Sequence, residues 1–179
     1  MDRRSRAGCA ALRDLRTMPF SPEIQTLAET LINEARSADV KIATAESCTG
    51  GLISGALTAI SGSSDVFDRG FVTYSNESKQ QMLDVSPSSI DKFGAVSADV
   101  AKEMAYGALT NSQADIAVSV TGVAGPGCSE GKPVGLVWFA VAVMGRAPEA
   151  FSKSFENSNR SEVRLKTVRC ALTALRRAL

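Results

Sequence analysis

The chain contains no histidine, the side chain that most often activates a serine or cysteine nucleophile and a frequent zinc ligand. Its four cysteines, Cys9, Cys48, Cys128 and Cys170, lie far apart and form no CxxC pair. A zinc site would therefore need an unusual ligand set, and we expect reduced, unpaired thiols. The sequence predicts neither a metal site nor a cofactor.

An excess of one charge and long apolar runs are also missing. The 20 basic and 19 acidic residues leave a formal charge of +1, which favours neither a nucleic-acid surface nor an anionic membrane as partner. No run of 18 apolar residues occurs, and the apolar stretch after the Arg-rich start "MDRRSRAG" is too short and broken for a signal peptide. These features predict a cytoplasmic protein that binds a small molecule.

The 179 residues suit one domain. Residues 1–17 carry five arginines without clear periodicity, so we expect a poorly structured N-terminal arm, followed by a domain over 18–179. Periodicity and caps predict helices over 22–35, 49–60, 75–83, 96–110 and 161–179, and strands over 39–44, 70–74, 115–122, 134–144 and 149–156.

This alternation predicts a three-layer α/β/α fold with a mixed, mostly parallel sheet. Strand 149–156 follows its predecessor after a short turn, which favours an antiparallel hairpin at one side of that sheet.

Three segments that follow predicted strands are rich in hydroxyls or glycines: "AESCTGG" (45–51), "TYSNESK" (73–79) and "VTGVAGPG" (120–127). In open α/β sheets, loops at the carboxyl ends of the strands surround one crevice. Glycines let the backbone approach a ligand, and amides at a helix start favour an anion. We expect a site for a phosphate or an oxyanion at this edge.

The first segment offers three adjacent nucleophiles, Ser47, Cys48 and Thr49. Because histidine is absent, the base has to be a carboxylate such as Glu46 or a lysine that burial keeps neutral. Lys79 is the favoured lysine, since it lies near the start of a helix that follows a strand. From these residues alone, both the nucleophile and the base remain open.

Five ordered blocks, "TAESCTGG", "GSSDVFDRGFVTYSNESK", "GAVSADVAKEMA", "SVTGVAGPG" and "KPVGLVWFA", resemble the C-terminal domain of the CinA competence/damage-inducible proteins. The likeness runs from about residue 22 to the C-terminus. That domain also occurs alone as a bacterial nicotinamide-nucleotide amidohydrolase, and the length of this chain fits the stand-alone form. The resemblance implies hydrolysis of nicotinamide mononucleotide (NMN) to nicotinate mononucleotide and ammonia, in pyridine nucleotide recycling.

The same resemblance implies roles for individual residues. Ser47 would be the nucleophile and Lys79 its base, acting directly or through Ser64. Seven further residues would bind the substrate: Thr49, Gly50, Gly51, Tyr74, Thr121, Gly122 and Arg160. No cofactor is implied, and we expect a homo-oligomer.

Two segments depart from the family pattern. Asn159 stands where an acidic residue commonly precedes the arginine, and Cys128 and Ser129 stand in a stretch that is commonly richer in glycine. Two other functions remain possible on sequence grounds: a non-catalytic nucleotide-binding regulatory domain linked to competence or DNA damage, and a Cys48 nucleophile or redox sensor.

Overall fold

A computed structural model describes residues 20–179, so the arm predicted over 1–17 lies outside the described residues. The helices are α1 (Pro22–Ser37), α2 (Leu52–Thr58), α3 (Asn76–Leu83), α4 (Pro87–Phe93), α5 (Ala98–Thr110) and α6 (Arg160–Ala178). The strands are β1 (Ile42–Glu46), β2 (Phe67–Val72), β3 (Ile116–Gly122), β4 (Leu136–Val143) and β5 (Glu149–Ser154).

The five strands form one sheet in the order β2-β1-β3-β4-β5. Strand β1 pairs in parallel with β2 and with β3, whereas β3–β4 and β4–β5 are antiparallel pairs. Four strands therefore run in one direction and only β4 runs against them. The predicted mixed sheet and its terminal hairpin are confirmed.

Helices cover both faces of the sheet. One face packs on α1, α2 and α6 through a large apolar cluster that includes Leu31, Ile53, Phe139 and Leu172. The other face is lined by alanines such as Ala43 and Ala117 and packs on α5 and its neighbours. Because side chains alternate along a strand, Glu46 lies on the same face of β1 as Ile42, towards α2.

Helix starts follow the local signals in the sequence. Ser21 caps α1 ahead of Pro22, Ser75 caps α3, and Ser97 caps α5. The prediction missed α4, although Ser86 followed by Pro87 repeats the signal that starts α1. Strand β2 begins three residues before the predicted strand at 70, because parallel pairing with β1 extends it backwards.

Candidate active site

The loops that follow β1, β2 and β3 converge around a cavity of about 250 Å³. It is lined by Ser47, Cys48, Tyr74, Asn76, Lys79, Ala95, Val96, Thr121, Gly122, Val123, Ala124, Gly125, Gly127, Ser129, Glu130 and Arg160. Six of the ten residues named for the site from sequence are among them. The cavity lies where parallel strands end, which is the usual position of a site in an open α/β sheet.

Ser47 and Lys79 meet at the bottom of this cavity. The Nζ atom of Lys79 lies 3.2 Å from the Oγ of Ser47, and it also donates to the carbonyl oxygens of Thr73 at 3.0 Å and Ser75 at 3.4 Å. Two N–H groups of a neutral amine would satisfy the two carbonyls. Its lone pair would then accept the hydroxyl proton of Ser47, which is the geometry that a base requires.

Burial favours the neutral amine. Lys79 is only 1% exposed, and loss of solvation lowers its pKa from the ordinary value of 10.5. Nearby Cys48, Glu130 and Glu77 act in the opposite direction when charged. Cys48 carries no charge at neutral pH, because burial raises its pKa from 9.0 to about 12. The lowered pKa of Lys79 therefore rests on its removal from water.

Glu46, the other candidate base, has a structural role instead. Its carboxylate is fully buried and accepts four hydrogen bonds, from the amides of Gly51, Ile53 and Ser54 and from the Ser54 hydroxyl, at 2.6–3.1 Å. These amides are the otherwise unpaired donors at the start of α2. A negative charge there also stabilises the helix dipole. The structure removes Glu46 from the candidates for the base.

Cys48 does not fit the role of an activated thiol. Its side chain is 5% exposed and belongs to the apolar core between the sheet and α6. Although Cys48 lies shortly before the start of α2, burial dominates and raises the pKa of its thiol to about 12. A thiol with that pKa is not a nucleophile at neutral pH.

Thr49, Gly50 and Gly51 shape the turn after Ser47 but do not line the cavity. Thr49 is fully buried, the amide of Gly50 donates to the carbonyl of Ser47, and the amide of Gly51 donates to Glu46. Both glycines have positive φ, 58° and 91°, a conformation that favours glycine. These three residues hold the nucleophile segment in place, and the substrate contacts predicted for them stay predictions.

Arg164 of α6 fixes the same turn and was missed as a site residue. Its half-buried guanidinium donates to the carbonyl oxygens of Cys48 at 3.2 Å and Thr49 at 2.6 Å. These peptide groups therefore turn their carbonyls towards α6. The helical spacing in the sequence places Arg164 on α6, but nothing local reveals that it faces the loop after β1.

Ser64 is the predicted catalytic residue that the structure places elsewhere. It is exposed on a single 3₁₀ turn, Ser63–Asp65, that precedes β2, whereas the cavity lies beyond the end of that strand. The six residues of β2 separate the two positions by roughly 20 Å. Within one chain, Lys79 contacts Ser47 directly, so the relay through Ser64 is corrected.

Tyr74 and Arg160 form the outer rim of the cavity. One guanidinium nitrogen of Arg160 donates to the Tyr74 hydroxyl at 2.8 Å, and another donates to the carbonyl of Gly125 at 2.6 Å. Asn159, which replaces the acidic residue of the family pattern, is the N-cap of α6, and its side chain accepts from the amide of Glu162 at 3.0 Å. The substitution thus keeps a capped helix that starts at Arg160.

The loop after β3 completes the wall of the cavity. The hydroxyl of Thr121 donates to the carbonyl of Ala95 at 2.7 Å and links β3 to the segment before α5. Ser129 and Glu130, in the stretch that departs from the family pattern, line the cavity opposite. Lys132 anchors that stretch by donating to the carbonyls of Phe93 and Val96. Within residues 20–179, no cluster of three metal-binding side chains occurs.

Comparison with known proteins identifies the family of the chain. The family model of the CinA C-terminal domain matches residues 24–179. The chain belongs to the CinA C-terminal domain family. The resemblance noted from the five sequence blocks is therefore confirmed.

Relatives of this CinA domain carry two kinds of name. The nicotinamide-nucleotide amidohydrolase PncC of Enterobacter agglomerans is 54% identical over 135 residues, which are 74% of this chain and 81% of that protein. A putative competence-damage inducible protein of Caldicellulosiruptor saccharolyticus is 47% identical over 159 residues. These residues are 87% of this chain but only 38% of that protein.

The fold of the CinA family is confirmed by solved structures. The competence/damage inducible protein CihA of Agrobacterium tumefaciens superposes with a TM-score of 0.84 at 48% identity, covering 87% of this chain and 95% of that one. Within residues 20–179, no helix is long and apolar enough to cross a membrane.

Proposed function

We propose that the protein is a nicotinamide-nucleotide amidohydrolase that converts NMN and water into nicotinate mononucleotide and ammonia. The observation that carries the proposal is the buried contact of 3.2 Å between Lys79 Nζ and Ser47 Oγ. A relative named for this activity, 54% identical over 135 residues, supports the choice of substrate. A serine paired with a neutral lysine suits the cleavage of an amide in a protein without histidine.

The reaction proceeds in two stages at the Ser47 oxygen. Neutral Lys79 takes the hydroxyl proton as Ser47 attacks the carboxamide carbon, and the resulting ammonium returns a proton to the leaving nitrogen. Ammonia departs and leaves an ester on Ser47. Water then attacks the ester, Lys79 accepts its proton and passes that proton to the departing Ser47 oxygen, and the acid product loses a proton to solvent and leaves as the carboxylate. Burial of Lys79 supports this cycle because its pKa is lowered by loss of solvation.

Backbone amides near Ser47 would hold the negative oxygen of the tetrahedral intermediate. The Cys48 and Thr49 carbonyls are bound by Arg164, and the Ser47 carbonyl is bound by the Gly50 amide. Within residues 20–179, no oxygen accepts from the amides of Cys48 and Thr49, and the Cys48 amide has only its own thiol beside it. Fixed, unpaired donors beside the nucleophile are what an oxyanion site requires, and loss of one such donor costs about 3 kcal/mol of barrier.

The rim would bind the rest of the nucleotide. The cavity of about 250 Å³ is smaller than the roughly 300–1,000 Å³ of sites that enclose whole ligands. It therefore suits the nicotinamide ring, with the ribose and phosphate lying across the opening. Tyr74 offers an aromatic face at that opening, and Arg160 offers a guanidinium whose remaining N–H groups are suited to a phosphate.

Release of ammonia from NMN by the purified protein, with a chelator present, tests the proposal. We expect stoichiometric nicotinate mononucleotide, with Ser47→Ala inactive but folded by circular dichroism. Binding of NMN by calorimetry without any turnover would overturn the enzymatic proposal. It would favour instead a regulatory nucleotide-binding domain, in line with the competence-damage names of some relatives.

A further inference from the structure

Strand β5 leaves a regular, unpaired edge at one side of the sheet. All six residues of β5 pair with β4 in continuous antiparallel register, from Leu136↔Ser154 to Val141↔Glu149. The opposite edge, β2, is less regular, because its register with β1 shifts between Ile42 and Ala43. An exposed and regular edge strand is a template for another strand. The β5 edge is therefore the better surface for continuing the sheet.

The charges on β5 are complementary to those of a second copy of β5. Glu149, Phe151 and Lys153 project to one face, that of α1 and α6, and all three are exposed. If two β5 strands run antiparallel about a two-fold axis at Phe151, Glu149 lies opposite Lys153 of the other copy, twice. Opposite charges directly across a strand pair stabilise it, whereas like charges destabilise it. The strand is thus complementary to itself in this one register.

An apolar groove of about 680 Å³ lies beside this edge, between β5 and the helices α1 and α6. Its floor includes Leu27, Phe151, Cys170 and Ala174. Phe151 is 36% exposed and stacks on Phe139, with ring centroids 4.9 Å apart. A neighbouring strand on the β5 edge would cover this apolar surface.

Ion pairs reduce the positive charge around the groove. Arg169 forms an ion pair with Glu23 at 2.9 Å, and Arg176 forms one with Glu34 at 2.7 Å. Two of the four basic side chains that line the groove are thus already neutralised. The charges left at the strand itself are those of Glu149 and Lys153.

We propose that the protein forms a two-fold dimer in which β5 pairs antiparallel with β5 of a second copy, centred on Phe151, giving a continuous ten-stranded sheet. On the α6 face, Phe151 of the second copy then lies against the apolar groove. Neither Glu149 nor Lys153 lines the cavity that holds Ser47. The proposal is therefore independent of the amidohydrolase activity.

Sedimentation equilibrium of the full chain and a charge swap test the dimer. The wild type should be dimeric, while Glu149→Lys and Lys153→Glu should each raise the dissociation constant roughly tenfold or more, because two attractive pairs become repulsive. The double variant Glu149→Lys/Lys153→Glu restores opposite charges in the same register and should recover the dimer. Exposed Glu29 on α1 supplies the control, and Glu29→Lys should leave the constant unchanged.

Each other result overturns the proposal. A monomeric wild type at 100 μM would mean that the β5 charges serve only to block edge pairing. A dimer that tolerates both single changes would use another surface. If the two single variants lose the dimer and the double variant does not recover it, the register centred on Phe151 is excluded. Thermal melts of all variants separate weakened association from unfolding.

Discussion

The Ser47–Lys79 pair and the Tyr74–Arg160 pair lie in the same cavity but differ in their exposure to water. Ser47 is 9% and Lys79 is 1% exposed, whereas Tyr74 is 61% exposed and Arg160 also faces solvent. Loss of water lowers the pKa of Lys79. A guanidinium keeps its charge in any such environment. In the proposed mechanism, the inner pair accordingly transfers protons and the outer pair recognises charge.

Each pair also depends on different supports. The inner pair is held by strand ends and by the turn that Glu46 and Arg164 anchor. The outer pair joins the segment after β2 to the start of α6 through one side-chain hydrogen bond of 2.8 Å. Changes at the inner pair should therefore affect the chemical step. Changes at the outer pair should affect binding.

The largest effect is expected for Lys79→Arg. Arginine keeps the positive charge but cannot act as a base near neutral pH, so kcat should fall by about 10²- to 10⁴-fold. NMN binding, measured by calorimetry, should stay within a few-fold. Lys79→Met serves as a second variant in case the larger side chain disturbs folding, and melting temperatures check both. A near-normal kcat in the arginine variant would show that position 79 supplies only charge.

Arg160→Ala should have the next largest effect, and on KM rather than on kcat. A charge-assisted contact to the phosphate is worth about 1.5–3 kcal/mol, or roughly 10- to 150-fold in affinity. Steady-state kinetics on NMN and on nicotinamide riboside measure this contribution. Because the riboside has no phosphate, the substitution should not change its KM. Tyr74→Phe removes the hydroxyl that Arg160 contacts and should cost much less. If wild type cleaves the riboside as efficiently as NMN, Arg160 does not bind the phosphate.

Local patterns were sufficient to predict most of the fold. Ser–Pro and Ser caps marked the starts of α1, α3 and α5, and the order of strands and helices predicted where the three loops would meet. Lys79 could be favoured as a base because its position after a strand and near a helix start is a local property. The family resemblance added the expected partner, Ser47, which the structure places 3.2 Å away.

Contacts between residues far apart in the chain could not be predicted from local sequence patterns. Glu46 is adjacent to Ser47 and was a reasonable base until its four hydrogen bonds to the start of α2 were seen. Arg164 lies more than a hundred residues from the turn it binds, so no local pattern connects the two. Ser64 shows the converse limit: a family motif supplied the residue, but the strand β2 carries it to the far end of the sheet.

A smaller effect concerns the pH dependence of stability. Since the folded-state pKa of Lys79 is lowered from 10.5, the unfolded chain binds more protons between the two pKa values. Stability therefore rises with pH across that window, by about 1.4 kcal/mol for each unit of lowering. Urea unfolding of wild type and of Lys79→Met at pH 7 to 10 measures this effect. The free energy of unfolding of wild type should rise with pH relative to that of the variant. A difference independent of pH would mean that Lys79 is not desolvated.

The smallest effect on activity is expected at Cys48, next to the nucleophile. Cys48→Ala should leave kcat within a few-fold, because a buried thiol with a pKa of about 12 contributes no thiolate at neutral pH. Its loss from the core should instead lower the free energy of unfolding by about 1–2 kcal/mol. Parallel assays of Ser47→Ala, which should remove nearly all activity, provide the comparison. The opposite order, with Ser47→Ala active and Cys48→Ala inactive, would transfer the chemistry from the hydroxyl to the thiol and contradict the assignment of the inner pair.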